Sequence, residues 1–158
     1  MLNLKYYSSP IGFIELFANE KFLCSARFCE ANLVRESSSK ILDKAAKELD
    51  EYFSGDRKIF SVPLQIDGTE FQKKVWSIIL NTKYGRSISY KDISLLLGRK
   101  HAMRAVGNAT SKNKLLIFVP CHRVIGSDGN LVGYSGELWR KKWLHGHEAG
   151  QSQFDFRK

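Results

Sequence analysis

Three consecutive residues in the second half of the chain, Cys121-His122-Arg123, are of the types that nucleophilic chemistry needs. The attacking species at sulfur is the thiolate, so a reactive cysteine requires a group that takes its proton or lowers its pKa. A histidine and an arginine follow it directly, a base and a positive charge. Adjacency is not contact, because neighbours in extended chain point to opposite faces. Proton transfer from Cys121 to His122 therefore requires a turn or a bridging water. The histidine also needs an orienting group, and Glu148, beside His147, is the candidate from elsewhere in the fold. A buried structural thiol is the competing reading of Cys121, since burial is the common state of a free cysteine. Zinc is a third reading, and the spacing argues against it. No C-x-x-C or H-x-x-x-H occurs, and His145-Gly146-His147 is too close for a usual structural pair.

Cys121 stands at the end of an apolar run, Leu115-Leu116-Ile117-Phe118-Val119, followed by Pro120. That placement suits a side chain held at the end of a buried segment. Upstream, the second half opens on Thr69-Glu70-Phe71-Gln72, a capping-box pattern. Phe71, Val75, Ile78 and Ile79 then give that helix one apolar stripe. Tyr84-Gly85-Arg86 reads as a turn. Ser89 caps a further helix, with Tyr90, Ile93, Leu96 and Leu97 on one face. Gly98 interrupts it, and a third helical segment runs from about 101 to 109. Helix, short glycine turn and helix is the helix-turn-helix arrangement, although two-helix corners are also common in all-α cores. A last helix fits 136 to about 147.

The first half has a different texture. Ser8-Ser9-Pro10 and Asn19-Glu20-Lys21 are turn signals between strand-like stretches, which predicts a small antiparallel meander. Ser37 to Ser39 offer N-caps for a helix whose apolar positions are Ile41, Leu42, Ala45, Leu49, Tyr52 and Phe53. Gly55-Asp56 ends it. Val62 to Ile66 looks extended, and Asp67-Gly68 closes the unit. The expected fold class is α+β: a small N-terminal α/β domain with antiparallel strands over 1–68, and a mainly helical C-terminal domain with a helix-turn-helix over 69–158.

The 158 residues suffice for a sizeable core. A 43% hydrophobic and 26% charged composition is that of a soluble globular chain. No apolar run approaches the roughly 20 residues of a membrane helix, and no basic segment followed by an apolar stretch opens the sequence. A cytoplasmic protein with no membrane association is expected. Three scattered cysteines, Cys24, Cys29 and Cys121, do not make a disulfide framework. A Cys24–Cys29 bridge stays open, but the odd separation would need a bend in a strand. The net charge of +9 is unevenly placed: 1–68 hold 9 Lys and Arg against 10 Asp and Glu, whereas 69–158 hold 16 against 6. This asymmetry points to an anionic partner for the second half, nucleic acid first; a basic solvated surface is the plainer account.

Several motifs now stand in order along 69–148. They are Ser89-Tyr90 opening a helix, Arg104-Ala105-Val106-Gly107, and Asn113 eight residues before the Cys121 of Pro120-Cys121-His122-Arg123-Val124. Gly133-Tyr134-Ser135-Gly136 and Trp143-Leu144 with His147-Glu148 complete the set. In order and spacing this resembles the O6-alkylguanine-DNA alkyltransferase (methylated-DNA–protein-cysteine methyltransferase) family. The resemblance implies a protein that flips the lesion out of double-stranded DNA, approached from the minor groove. It then moves the alkyl group onto Cys121 once, without a cofactor, as a monomer. It implies that His122 deprotonates Cys121 through a water while Glu148 holds the imidazole. Asn113 would brace the segment before the active site, Tyr90 would help rotate the nucleotide, and Arg104 would fill the gap in the stack. Tyr134 and Ser135 would line the pocket, and Arg123 would join the residues touching DNA or substrate. Two departures stand out: Lys114 follows Asn113 where the family has proline, and Glu137 occupies a position where glycine is common. The metal-binding residues of some relatives' N-terminal domains have no counterparts, so no metal is expected. A lesion-flagging relative would lack Cys121, a Cys-His hydrolase would not need the basic half, and a transcription factor would need several base-reading side chains on its second helix.

Overall fold

The computed structural model describes residues 2–30, 34–37 and 39–150 and divides into two compact units. The first comprises Met1–Ile66 and Lys114–Phe118; the second comprises Asp67–Asn113 and Val119–Lys158.

In the first unit, β1 (Asn3–Ser9), β2 (Gly12–Ala18) and β3 (Leu23–Cys29) form an antiparallel sheet in sequential order. Alternate residues bury: Leu4 and Tyr6 on β1, then Ile14, Leu16 and Ala18 on β2. The β1–β2 turn requires Gly12, whose φ of 116° is open to glycine. Helix α1 (Lys40–Phe53) packs on the sheet through Leu42, Ala45, Leu49 and Tyr52. Ser39 caps it, its side chain accepting from the Leu42 amide; of the other cap candidates, Ser37 bonds to β1 and Ser38 lies outside the described residues.

Both sheet edges are covered, which removes a template for pairing with other chains. Along β1, Ser37 Oγ accepts from the Leu4 amide and Glu36 from the Tyr6 amide. Along β3, Leu23 pairs with Leu64, and Ala26 pairs with Leu115. The apolar run 115–119 is buried throughout, and its first four residues belong to this unit. Cys24 and Cys29 are half-buried thiols with no bridge between them.

The second unit is helical. Helix α2 (Glu70–Leu80) has both capping-box bonds, Thr69 Oγ1 accepting from the Gln72 amide and Gln72 accepting from the Thr69 amide. Its core face includes Trp76, whose indole N–H donates to the Ala109 carbonyl at 2.9 Å. β4 (Ile88–Ser89) leads into α3 (Tyr90–Leu96), where Ser89 and Asp92 make a second capping box. A turn through Gly98, φ 71°, joins α3 to α4 (Met103–Ser111). The buried Ser94 hydroxyl fixes this turn by donating to the Arg99 carbonyl and accepting from the Ala102 amide. Only Ile93 and Ser94 of α3 are buried. Leu96, expected on the inner face, is 67% exposed, because a seven-residue helix has room for little more than one buried turn.

A 3-10 turn over Cys121–Arg123 follows, then β5 (Val124–Ile125), which pairs parallel to β4. Helix α5 (Leu138–Glu148) completes the unit and contacts that turn. Among the described residues no helix is long and apolar enough to cross a membrane.

Candidate active site

The 3-10 turn resolves the orientation problem posed by Cys121 and His122. Extended chain would turn them to opposite faces; here both are buried, at 2% and 0% exposure. Cys121 faces a cavity of about 250 Å³ lined also by Tyr90, Gly107, Thr110, Tyr134 and Ser135. His122 turns instead to α5, where its Nε2 lies 2.6 Å from Glu148 Oε2. Its Nδ1 is buried with no hydrogen-bond partner among the described residues. In the neutral imidazole, the proton that satisfies Glu148 sits on Nε2, which leaves the lone pair on Nδ1.

Glu148 is the hub of this cluster. Arg123 Nε donates to Oε1 at 2.7 Å, and a second guanidinium N–H donates to Oε2 at 3.1 Å, a bidentate pair. The third guanidinium nitrogen donates to the Thr82 carbonyl at 2.6 Å, and the Gly85 amide donates to Glu148 Oε1. Burial alone would raise the carboxyl, but His122 and Arg123 outweigh it and hold Glu148 well below the usual carboxylate range. Arg123 is 7% exposed and engaged with Glu148 and Thr82, so it holds the hub.

Asn113 braces the thiol from the other side. Its Nδ2 donates to the Val119 carbonyl at 2.9 Å and to Cys121 Sγ at 3.1 Å. Both bonds form with Lys114 in the place of the family's proline. Burial pushes the Cys121 thiol up to about 11, against the Asn113 bond and the charge of Lys141, which both lower it. Burial thus favours the neutral thiol over the thiolate.

Tyr134 and Ser135 line the cavity. The Tyr134 hydroxyl is buried without a hydrogen-bond partner among the described residues, and burial with the nearby thiol raises its pKa well above the ordinary value. It therefore remains a donor at neutral pH. Tyr90 also lines the cavity, its hydroxyl donating to the Val132 carbonyl at 3.3 Å. Arg104 is not in the cavity: it is exposed on the first turn of α4, with exposed Ala105 and Asn108 on the same helix. Glu137 precedes α5 with φ 76°, a left-handed conformation in which glycine is unstrained. Its side chain accepts from the Trp139 indole at 2.8 Å, a bond that offsets part of the backbone cost.

Sequence reading missed Gly107 and Thr110 as cavity wall, and it missed Lys141. This lysine is 1% exposed, and its Nζ donates to the Val132 and Gly133 carbonyls, both at 2.9 Å. The signal was present as spacing: Lys141, Leu144 and Glu148 recur at three and four residues, the period of one buried helix face.

Two family models match the chain. "6-O-methylguanine DNA methyltransferase, DNA binding domain" covers residues 70–150, and the ribonuclease-like domain of the same description covers residues 3–66. A methylated-DNA--protein-cysteine methyltransferase of Methanosarcina barkeri is 42% identical over 86% of this chain and 90% of its own length. The protein of that name from Mycobacterium leprae is 48% identical over 91% and 90%. The crystal structure of Mycobacterium tuberculosis OGT in complex with DNA superposes with a TM-score of 0.87 at 36% identity, covering 96% of each chain. The chain thus belongs to the 6-O-methylguanine DNA methyltransferase family.

Proposed function

We propose that this chain repairs O6-alkylguanine in double-stranded DNA by accepting the alkyl group on Cys121, once per molecule. The carrying observation is a braced thiol that opens on a cavity, backed by an imidazole whose only satisfied nitrogen faces a buried carboxylate. The chain is a methylated-DNA–protein-cysteine methyltransferase in the stoichiometric sense, and it works in the cytoplasm on DNA.

The target carbon hangs from a base edge and cannot be reached inside the stack, so the nucleotide must rotate out. Tyr90 at the cavity wall helps that rotation. Arg104, exposed at the start of α4, is long enough to replace the extruded base and stack on its neighbours. The small residues of α4 favour approach from the minor groove, and one copy of the chain suffices. In the cavity a water bridges Cys121 Sγ to His122 Nδ1, and the imidazole takes the thiol proton while Glu148 stabilises the imidazolium. The thiolate attacks the alkyl carbon as the C–O6 bond breaks. The guanine oxyanion is met by the Tyr134 hydroxyl and finally takes up the proton that left the thiol. The sulfur becomes a thioether with no hydrolytic exit, so the chain is spent.

The test is to mix the intact protein with duplex DNA carrying O6-methylguanine and weigh the protein. One methyl group per chain is expected, mapped to Cys121 and absent from Cys121→Ser. Unchanged mass with the lesion intact would reject the proposal. Binding should weaken steeply with added salt as phosphate contacts are screened.

A further inference from the structure

Glu137 stands at φ 76° and ψ 144°, a backbone conformation that glycine takes freely and that a side chain strains. Such a residue keeps its conformation where the surroundings fix it. Here they fix it through both backbone and side chain. The Glu137 amide donates to the Tyr134 carbonyl at 3.0 Å, closing the turn 134–137. The Glu137 carbonyl accepts from the Arg140 and Lys141 amides at 3.2 and 3.3 Å, opening α5. Its carboxylate accepts from the Trp139 indole at 2.8 Å and lies 3.9 Å from the Arg140 guanidinium. That guanidinium lies over the Trp139 ring, 4.6 Å from its centroid, and donates to the Gly136 carbonyl at 3.2 Å. The carboxylate also sits at the positive end of α5, whose first turn holds no acidic residue.

The location gives this cluster a use. Tyr90 is carried into the cavity wall by α3, Gly107 and Thr110 by α4, and Cys121 by the 3-10 turn. The remaining wall, 133–135, lies on chain outside helices and strands. Such chain yields more readily than the elements it connects, and Glu137 closes the turn at its C-terminal end. We propose that Glu137 is a specificity-determining residue: its carboxylate, anchored on Trp139 and Arg140, latches the wall 133–135 and so limits the bulk of the alkyl group that Cys121 accepts. Glu137 is outside the cavity lining and acts through the turn it closes. A methyl group needs little room beside the sulfur. A benzyl group brings a phenyl ring, for which a wall must move, and a latched wall resists that movement.

This inference rests on the repair reading, and the experiment separates the two. The full-length parent, Glu137→Gly and Trp139→Phe are compared in single turnover on two duplexes, one carrying O6-methylguanine and the other O6-benzylguanine. The readout is the ratio of benzyl to methyl transfer rates. Glu137→Gly removes the strain and the carboxylate together, and should raise the ratio at least about tenfold, the discrimination a pocket makes over small apolar bulk. Trp139→Phe removes the indole donor and keeps a ring beneath Arg140, and should raise the ratio by a smaller factor. A glutamate that merely stabilises the fold would leave the ratio where it was. A folded Glu137→Gly or Trp139→Phe at the parental ratio overturns the inference and leaves the repair reading intact, as does a parent that transfers benzyl as fast as methyl. A parent that leaves O6-methylguanine untouched overturns the repair reading itself. Should Glu137→Gly fail to fold, Trp139→Phe decides by the same ratio.

Discussion

Each unit buries a glutamate, and the two differ in what they hold. Glu48, on α1, accepts from the Ser61 amide at 2.9 Å, the Val62 amide at 3.0 Å and the Ser61 hydroxyl, with Arg57 and Lys44 within 4 Å. Burial works to raise its carboxyl, and these donors bring it below the ordinary value. Glu148, on α5, is equally buried and also meets an arginine and a backbone amide, but it meets an imidazole as well. The first carboxylate ends in groups that can do nothing except stay where they are. The second ends in a ring whose other nitrogen faces away with its lone pair unused. Burial and a lowered pKa are common to both, so neither marks a reactive site. The identity of one partner does.

That contrast can be broken most sharply at Glu148. Glu148→Ala strips His122 and Arg123 of their counter-charge, and the saturated transfer rate should fall about 100-fold or more, as for a misplaced general base. Single-turnover kinetics on O6-methylguanine duplex would show it; a folded variant with parental rate would make the two glutamates equivalent. The next effect is on stability. Glu48→Ala leaves the Ser61 and Val62 amides without their acceptor and should cost about 2 kcal/mol in urea unfolding, while the fraction still folded transfers at the parental rate. A loss of rate in that fraction would give Glu48 a share in the chemistry.

The smallest difference is in acid. Both carboxyls lie below the ordinary glutamate value of 4.5 when folded. Below that pH the unfolded chain binds more protons, so stability falls as pH falls. The contribution is complete above about pH 4.5 and is lost on approach to each folded value. Glu148 is the more strongly depressed, so Glu148→Gln should flatten the acid limb of the stability profile more than Glu48→Gln does. Equal flattening in urea midpoints measured from pH 5 to 3 would contradict the ranking.

Local signals in the sequence were read correctly where local physics decides. The Ser8–Pro10 turn, the Thr69–Gln72 capping box and the apolar spacing of α1 each concern residues within a few positions of one another, and each is present. Cys121 was legible as a candidate because its neighbours are adjacent in chain. Long-range pairing was not legible. Nothing local announced that Arg123 would meet Glu148, 25 positions away. Lys141 looked like one more basic residue of a basic half, because periodicity reports which face is buried and not what a buried charge holds. Leu96 went the other way: its spacing fitted the inner face, but the buried face of this short helix is only Ile93 and Ser94, and Leu96 is exposed.

The five residues Lys114–Phe118 belong to the first unit although the chain before and after them belongs to the second. Four of the five, Leu115 to Phe118, are apolar and buried, and the Leu116 amide donates to the Ala26 carbonyl. The second unit is therefore not continuous along the chain. A gene fragment encoding only the second half would inherit a sticky ribbon meant for another sheet, so recombination could not shuffle that half as a self-contained module without first rewriting those positions.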